Sequence, residues 1–372
     1  MSNSDTQMMS KDIAAHLAEG HALLPDGLML ALPDMTIRLR SNSAALLEKL
    51  ASYFKHIVVP DGDANIEIHA FDGASPTLPL AVTDWPREPG KAGRKDAFFD
   101  LSDGRVVKKV RTGMVFLQSR DHRIAAGPCL ENDNQVINFI NAQYMNMLQQ
   151  NGWLICHAAG LVRHGRALGL AGFSGGGKST LMLHMLSQSD TAFLSNDRLF
   201  VQQTDEGVLA AGIPKLPRIN PGTALNNPRL GGIVAAERRA ELVALPTTEL
   251  WDIEEKYDVD IEQIYGPGRI VARVPLSGFV VLNWSHSAKD AAKVEEIDLR
   301  ERRDLLAAVM KSPGPFYQLA DGSMYANSSE IDEQGYLSAL AGVPIYEVTG
   351  RVDFDRVARQ CLDGLFRGGR QT

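Results

Sequence analysis

The chain has 372 residues, and this length favours two domains over one ordinary hydrophobic core. Hydrophobic residues make up 44% of the chain and charged residues 22%, as in globular proteins, which excludes a wholly disordered or fibrous protein. The net charge of −7 provides no global positive field, and no apolar run is long enough to span a bilayer. We therefore expect a protein that binds neither nucleic acid nor a membrane.

The cysteines and the first residues indicate the compartment. Cys129, Cys156 and Cys361 are far apart and form no CxxC pair, which fits a reduced compartment without a disulfide or zinc framework. The start of the chain lacks the basic segment and apolar core of a secretory signal. We expect a cytoplasmic protein that acts on a small molecule or on a partner protein.

The first part of the chain mixes strand and helix patterns. Residues 1–25 are polar apart from a short amphipathic stretch at 13–17, and we expect the terminus to fray. We expect the Pro- and Gly-rich stretch 76–93 to form a loop. Apolar spacing predicts helices over 45–54, behind Ser43 as N-cap, and over 134–150. Predicted strands cover 28–32, 35–40 and 66–70 and, as an antiparallel meander, 97–101, 105–111, 114–118 and 123–126. These patterns predict an α+β N-terminal domain, residues 1–150, whose role no chemical motif reveals.

The pattern changes in the second part of the chain. Apolar strand-like runs at 153–162 and 167–171 are followed by a glycine-rich loop, a helical pattern at 179–189 and an apolar strand at 191–194. Strand, loop, helix and strand is the order of an α/β nucleotide-binding core. We therefore predict a second, α/β domain over residues 151–372.

The glycine-rich loop Gly172-Phe173-Ser174-Gly175-Gly176-Gly177-Lys178-Ser179 matches G-x-x-x-x-G-K-[ST] at every fixed position. The glycines allow several backbone N–H groups to point at one anion, and the following helix adds the positive end of its dipole. Lys178 supplies charge to the β- and γ-phosphates of ATP, and the Ser179 hydroxyl can bind Mg²⁺. We predict that residues 172–180, with Thr180 as the last, bind the nucleotide.

A P-loop needs a carboxylate nearby to hold the metal ion, usually at the end of a neighbouring strand. Asp197 lies just past the apolar strand 191–194 and fits this place, although a solvated loop aspartate has the same pattern. His157 lies in the apolar run 153–162, where a histidine is either an active-site residue or a hydrogen-bonded core residue.

The order of three motifs resembles one family. His157-Ala158-Ala159-Gly160, the loop Gly172–Ser179 and Ser195-Asn196-Asp197 look like the kinase domain of HPr kinase/phosphorylase, and most like the HprK-related kinases of the B group. Further segments with this resemblance are Gly212–Gly222, Glu254–Val259, Val343–Gly350 and the helix predicted from Asp353 to Phe366. The resemblance covers about residues 153–368 and implies a P-loop core of the HPr-kinase and PEP-carboxykinase type.

The family resemblance implies phosphoryl transfer from ATP, with Mg²⁺, to a hydroxyl of a protein serine or of a small molecule. Lys178 would hold the phosphates, Ser179 and Asp197 would hold the metal ion, and His157 would line the γ-phosphate side. Asp197 is alternatively the acceptor of the hydroxyl proton. These roles make Asp197, His157 and Lys178 the predicted catalytic residues.

The chain departs from the family at Asn196, where the first of two adjacent acids usually stands. One carboxylate fewer weakens the case for separate base and metal roles and makes the reverse, phosphorylase reaction doubtful. A compensating acid could come from Glu254, Glu255 or Asp258. The carboxylates of the stretch 251–260 could also bind a second metal ion, but a solvated acidic face fits better: Asp252, Glu254, Glu255, Asp258 and Asp260.

Basic residues follow the metal motif. We predict Lys215 and Arg218, with Asn196, as contacts to phosphate or to an acidic substrate, although ordinary surface cations would have the same pattern. Three further arginines are candidates for the same role: Arg229, Arg269 and Arg273.

Two other classes of function remain alternatives. A P-loop NTPase could hydrolyse the nucleotide to regulate a partner, and a non-catalytic module could only bind it. The candidate acid Asp197 follows Ser179 by only eighteen residues, which favours a compact kinase over a motor-type NTPase. The acceptor is not indicated by the sequence, and a homo-oligomer, as in HPr kinases, is compatible with it.

Overall fold

The structure is a computed structural model that describes residues 8–86, 93–173, 175–246, 249–250, 253, 255–326 and 330–366. It is a mixed α/β protein with two large sheets. The chain forms two compact units, Met1–Gly152 with Ser312–Glu330 and Trp153–Lys311 with Ile331–Thr372. The predicted division at residue 150 is close to the observed one, but it does not include the segment 312–330. This segment lies far along the chain and yet belongs to the first unit. Among the described residues no helix has the length and apolar character needed to cross a bilayer.

The first unit is organised around a nine-stranded sheet. Its strands are β1 (Leu28–Leu32), β2 (Met35–Ser41), β3 (Val58–Val59), β4 (Ile66–Asp72), β5 (Thr83–Asp84), β6 (Asp96–Asp100), β7 (Gly104–Lys109), β8 (Val115–Ser119) and β9 (Arg123–Gly127). Their spatial order is β3-β1-β2-β4-β9-β8-β7-β6-β5. The predicted meander is confirmed as the antiparallel strands β6 to β9, whereas β4 pairs in parallel with both β2 and β9.

Helices α1 (Ser10–Ala18), α2 (Ala44–Tyr53) and α3 (Asp133–Gln150) belong to the same unit. The two predicted helices are confirmed as α2 and α3, and the Ser43 hydroxyl caps α2 by accepting from the Leu46 amide at 3.3 Å.

The predictions for residues 1–25 and 76–93 need correction. Residues 10–18 form α1, because Ile13 and Leu17 are buried in an apolar cluster and both the amide and the hydroxyl of Ser10 donate to the Asp103 carboxylate. Within 76–93, the short strand β5 pairs with β6. Residues 1–7 and 87–92 lie outside the described residues.

The second unit contains the predicted α/β core. Its strands are β10 (Leu154–Cys156), β11 (Ala158–Arg163), β12 (Arg166–Gly172), β13 (Thr191–Ser195), β14 (Leu199–Thr204), β15 (Gly207–Ala211), β16 (Arg218–Ile219), β17 (Tyr257–Asp258), β18 (Arg273–Leu282), β19 (Lys293–Ile297) and β20 (Ile345–Thr349). The main sheet has the order β10-β14-β15-β18-β12-β11-β13, with β20 also paired to β18 and β19 to β20. Strands β16 and β17 form a separate pair.

The second unit also contains helices, several of which pack on the main sheet. Their bounds are α4 (Lys178–Met185), α5 (Pro221–Leu225), α6 (Ala236–Val243), α7 (Ile261–Tyr265), α8 (Arg303–Val309), α9 (Glu333–Ala339) and α10 (Phe354–Gly364). Side chains of α8 and α9, among them Leu306 and Tyr336, pack with Phe279 of β18 in one apolar core. The helix predicted over 179–189 is present as α4, which ends at Met185, four residues earlier than predicted.

The single strand expected over 153–162 is two strands with different partners. Strand β10 pairs with β14, whereas β11 pairs with β12 on one side and β13 on the other. His157 lies at the break between them. Because apolar residues occupy both strands, their periodicity does not reveal the break.

The register brings three chain segments to one edge of the main sheet. Strand β11 is antiparallel to both neighbours, with Ala158 opposite Ala171 of β12 and Gly160 opposite Ser195 of β13. The beginning of β11 therefore lies beside the ends of β12 and β13. His157 immediately precedes β11, the glycine-rich loop follows β12, and Asp197 follows β13. All three therefore lie at the same edge of the sheet.

Candidate functional site

The glycine-rich loop connects β12 to α4, which begins at Lys178. Gly177 precedes the helix with φ +87°, and a Cβ there would lie 2.9 Å from the ring of Phe354, so glycine is required on both grounds. The Lys178 ammonium donates to the Gly172 carbonyl at 2.7 Å. Phe173 is exposed, and Ser174 lies outside the described residues.

Two aromatic side chains support the loop from outside. The Trp284 indole N–H donates to the Gly176 carbonyl at 2.9 Å, and its ring meets that of Phe354 edge to face at 5.0 Å. Both contacts fix the backbone immediately before α4.

Some backbone amides of the glycine-rich loop donate within the loop, and others lie at the start of α4. The Gly176 amide donates to the Phe173 carbonyl at 3.0 Å, so this donor is used within the loop. The first amides of a helix have no intrahelical acceptor, and at α4 these belong to residues from Lys178 and Ser179 onward. The Thr180 hydroxyl shares a hydrogen bond of 2.9 Å with the Thr223 hydroxyl.

Asp197 lies in a tight turn after β13. The Ser195 hydroxyl donates to the Arg198 carbonyl at 2.7 Å and accepts from the Arg198 amide at 3.3 Å. These two bonds hold the turn closed around Asn196 and Asp197, both of which are half-buried.

The charge environment of Asp197 is strongly positive. Burial alone raises the pKa of this carboxyl, but the surrounding groups outweigh it, and the net pKa lies below the usual value. The groups that lower it are Arg198, Lys215, Lys311 and His157. Asp197 is therefore ionised at neutral pH.

Lys215 is brought beside Asp197 by a close backbone approach at Gly212. A Cβ at Gly212 would lie 1.7 Å from the Leu194 carbonyl oxygen, so any other residue would push the 212–215 loop away from the end of β13. Burial is the largest effect on Lys215 and lowers its pKa to about 8, while Asp197 opposes this change. The nearby cations Arg198, Arg218 and Lys311 lower the pKa further.

Lys311 reaches the same place from the end of α8. The His157 amide donates to the Val309 carbonyl at 2.7 Å, which ties the break between β10 and β11 to this helix. The Lys311 amide donates to the Tyr336 hydroxyl at 3.3 Å, and that hydroxyl in turn donates to the Ile155 carbonyl. His157 and Lys311 are thus anchored on neighbouring backbone segments.

Arg198 and Lys311 are site residues that sequence reasoning missed. Arg198 directly follows the predicted site residue Asp197, and this position could have indicated that it belongs to the site. Lys311 follows a helix far along the chain, and no local pattern connects it with Asp197. We name the group formed by Arg198, Lys215 and Lys311 the cation cluster.

Comparisons with known proteins add little to this geometry. No family model matches the chain, and none of the curated proteins matches it. Among solved structures, the HPr(Ser) kinase/phosphatase from Coxiella burnetii is similar, with 12% identity over 56% of this chain and 93% of that chain and a TM-score of 0.26. A score this low is not enough to transfer a fold or an activity to this chain.

The described carboxylates of the acidic stretch 251–260 make structural contacts. Glu255 pairs with Arg238 at 2.9 Å and accepts from the Tyr257 hydroxyl, and Asp258 pairs with Arg218 at 3.0 Å. Asp260 caps α7 by accepting from the Gln263 amide at 3.1 Å. Asp252 and Glu254 lie outside the described residues, and among those described no group of three or more His, Cys, Asp or Glu side chains could hold a metal ion. The structure therefore does not support a second metal site or a compensating acid at Glu255 or Asp258.

The three further candidate arginines make contacts within the second unit. Arg269 donates to the carbonyls of Leu186 and Gln188, each at 2.7 Å, just past the end of α4. The Arg229 guanidinium lies over the Tyr265 ring at 5.9 Å, and that of Arg273 over the Trp153 ring at 5.0 Å. Arg218, paired with Asp258, still lies close enough to Lys215 to affect its pKa.

Proposed function

We propose that the second unit is an ATP- and Mg²⁺-dependent kinase that transfers the γ-phosphoryl group to a hydroxyl of a protein serine or of a small molecule. The observation that carries this proposal is the meeting of the glycine-rich loop with an ionised, cation-surrounded Asp197 at one edge of the main sheet. Phosphoryl transfer needs such a combination, because its catalysis consists mainly of positioning and of stabilising negative charge.

The loop supports nucleotide binding through its position before α4. The amides at the start of α4 and the helix dipole favour an anion there, and Lys178 adds a full positive charge. Trp284 and Phe354 restrain the loop backbone, so the anion site is held in shape before a ligand arrives. One of the amides, that of Gly176, is engaged with Phe173 and contributes less.

Ser179 and Asp197 fit the needs of a magnesium ion. Mg²⁺ prefers oxygen ligands and is commonly held by one or two protein groups together with substrate phosphates. The lowered pKa of Asp197 keeps its carboxylate available at neutral pH. When bound, the ion would neutralise negative charge on the β- and γ-phosphate oxygens.

The lowered pKa of Asp197 favours one of its two predicted roles. A carboxylate held below its usual pKa is a weak proton acceptor, but it can still accept a hydrogen bond from the attacking hydroxyl and orient it. This supports Asp197 as a metal ligand and positioning group in the proposed reaction. The cation cluster stabilises charge on the transferred phosphoryl group.

The proposal is tested with Lys178→Ala, with Lys289→Ala as control at an exposed lysine of the same unit. MgATP at 100 times its Kd should stabilise the parent protein by about 2.7 kcal/mol, seen as a higher melting temperature. The control should keep this stabilisation and Lys178→Ala should lose it, because the charge at the phosphates is gone. A full stabilisation of Lys178→Ala would contradict the assignment of the loop.

Turnover is measured with ATP labelled at the γ-phosphate and a fractionated cell extract. Label transferred to an acceptor supports the kinase. Release of phosphate alone would indicate an NTPase, and binding without turnover a nucleotide-binding module.

A further inference from the structure

We propose that Trp284 is a positioning residue for phosphate binding. Its indole N–H holds the peptide between Gly176 and Gly177 with the carbonyl turned away from the bound phosphates and the Gly177 amide turned toward them. This inference rests on the proposed nucleotide binding and deepens it, because it assigns the direction of one loop amide to a side chain 108 residues from Gly176 in the chain.

The peptide between Gly176 and Gly177 has one polar group on each side. The peptide bonds of the described residues are trans, and in a planar trans peptide the C=O and the N–H point in opposite directions. The Gly176 carbonyl accepts a hydrogen bond of 2.9 Å from the Trp284 indole. The Gly177 amide therefore points away from Trp284.

The strand order shows which side of the loop the amide faces. Strand β12 leads into the loop and lies between β18 and β11. Strand β18 is parallel to β12, with Leu282 opposite Gly172, so Trp284 follows the end of β18 and lies on that side of the loop. Asp197 follows β13, on the β11 side. The Gly177 amide is thus directed toward the side of the loop on which Asp197 lies.

Glycines flank this peptide on both sides, so it can turn over at low steric cost. A half-turn changes ψ of Gly176 and φ of Gly177, which would take φ of Gly177 from +87° to roughly −90°. Glycine adopts positive and negative φ about equally well. The loop sequence therefore does not choose between an inward amide and an inward carbonyl, and the choice must come from a contact outside the loop.

Backbone hydrogen bonds fix the position of Trp284. The Asn283 amide donates to the Val348 carbonyl at 2.9 Å. The Ser285 amide donates to the Gly350 carbonyl, also at 2.9 Å. Both neighbours of Trp284 are thus bound to β20 or to the residue directly after it. The indole approaches the loop from a rigid frame, as a positioning group must.

Phe354, the first residue of α10, restrains the indole further. The two rings meet edge to face at 5.0 Å. Helix α10 lies beside α4, and a Cβ at Gly177 would lie 2.9 Å from the Phe354 ring. The indole N–H therefore has one well-defined direction, toward the Gly176 carbonyl.

The orientation of the peptide decides its interaction with a phosphate. An amide hydrogen attracts a phosphate oxygen, whereas a carbonyl oxygen repels it. The Gly176 amide already donates to the Phe173 carbonyl at 3.0 Å, so the next amide, that of Gly177, carries more of the binding. A hydrogen bond to a charged group corresponds to an affinity change of about 10- to 100-fold.

Crystal structures without nucleotide test the orientation directly. They are determined for the parent protein and for Trp284→Phe, in buffers free of phosphate and sulfate. Phenylalanine keeps an aromatic ring beside Phe354 but has no N–H to donate. The parent should show the Gly176 carbonyl at the indole, and the variant should show it turned inward in at least part of the molecules. A variant with the carbonyl still in its parent orientation would overturn the proposal.

Isothermal titration calorimetry with MgATP measures the effect on binding. Trp284→Phe should bind MgATP at least about tenfold more weakly than the parent, because an inward carbonyl repels the phosphates. Trp85→Phe makes the same chemical change in the first unit and should bind like the parent. An affinity of Trp284→Phe within twofold of the parent would contradict the inference. A weaker affinity with an unturned carbonyl would assign the effect to packing and also contradict it.

A third structure needs no variant and decides the matter if Trp284→Phe fails to fold. In the parent protein bound to a magnesium complex of a non-hydrolysable ATP analogue, the Gly177 amide should lie about 3 Å from a phosphate oxygen. The Gly176 carbonyl should remain at Trp284. A Gly177 amide directed away from the phosphates would refute the assignment.

Failure of this inference can be told from failure of the proposed function. A parent protein that does not bind MgATP contradicts the proposed function, and the two structures without nucleotide still show whether Trp284 sets the orientation of the peptide. A parent protein that binds MgATP, with a Trp284→Phe variant that binds equally well, contradicts this inference alone.

Discussion

Two cations, the buried Arg105 of the first unit and the half-buried Lys215 of the second, have different surroundings. Arg105 of the first unit is 1% exposed and donates to both carboxylate oxygens of Asp100 and to the carbonyls of Pro315 and Tyr325. It also lies over the ring of Phe98, at 4.6 Å from the ring centre. The guanidinium is thus matched by acceptors in several directions.

Lys215 of the second unit has a carboxylate, Asp197, and several cations near it, and its burial is matched less well. Its charge is disfavoured, as its lowered pKa reports, whereas Arg105 is fully supplied with partners. A buried cation that serves structure is neutralised by its neighbours, because an unmatched charge costs free energy. A cation whose charge is disfavoured by burial and that lies beside a specific carboxylate is a candidate for a functional role.

Replacing Arg105 should have the largest effect on stability. In Arg105→Met the carbonyls of Pro315 and Tyr325 lose their donors, so we expect the free energy of unfolding to fall by about 3 kcal/mol. Chemical denaturation measures the change. The control is Arg94→Met, which removes an exposed ion pair with Asp84 and should have little effect. Equal effects of the two variants would mean that the network around Arg105 does not stabilise the unit.

Asp197→Asn should have the next largest effect, on activity. Loss of a metal ligand that also orients the hydroxyl should reduce phosphoryl transfer about 100-fold or more, while MgATP still raises the melting temperature. Transfer of labelled phosphate and thermal unfolding measure the two properties. Asp205→Asn, in an exposed turn, serves as the control. Near-normal transfer by Asp197→Asn would assign the catalytic carboxylate to another residue.

Lys215→Met should stabilise the protein, in contrast to Arg105→Met. Removal of a disfavoured charge should raise the free energy of unfolding by about 1 kcal/mol at pH 7, and phosphoryl transfer should fall. The folded pKa of about 8 lies below the ordinary value near 10.5, so the unfolded chain binds more protons between these values. The stability of the parent protein should therefore rise relative to Lys215→Met as the pH increases through this range. A destabilised variant would show that Lys215 is matched like Arg105.

Much of the fold follows from local patterns. The glycine-rich loop, its strand and its helix, the meander of β6 to β9 and the helices α2 and α3 depend on turn residues and on apolar periodicity within short windows. The break at His157 has no signal in the sequence because β10 and β11 are both apolar. The amphipathic stretch 13–17 lies within α1, but the full helix depends on distant partners such as Asp103.

Some residues of the candidate site can likewise be predicted from local sequence, and others cannot. The loop and Asp197 have motifs in the sequence, and Lys215 could be proposed from its basic surroundings. Arg269 and Arg273 had the same appearance, yet they bind backbone carbonyls or lie over an aromatic ring. The local sequence around a loop arginine does not show whether its guanidinium binds a phosphate or makes a structural contact.

The sequence by itself determined the groups that could bind a polyphosphate, since a glycine-rich turn, a lysine and a helix start are adjacent along the chain. Only the tertiary structure decided which charges surround Asp197, because Lys215 and Lys311 reach it through strand pairing and backbone contacts between segments far apart in the chain. Electrostatic interactions depend on distance in space and on burial, and neither quantity can be obtained from residue order.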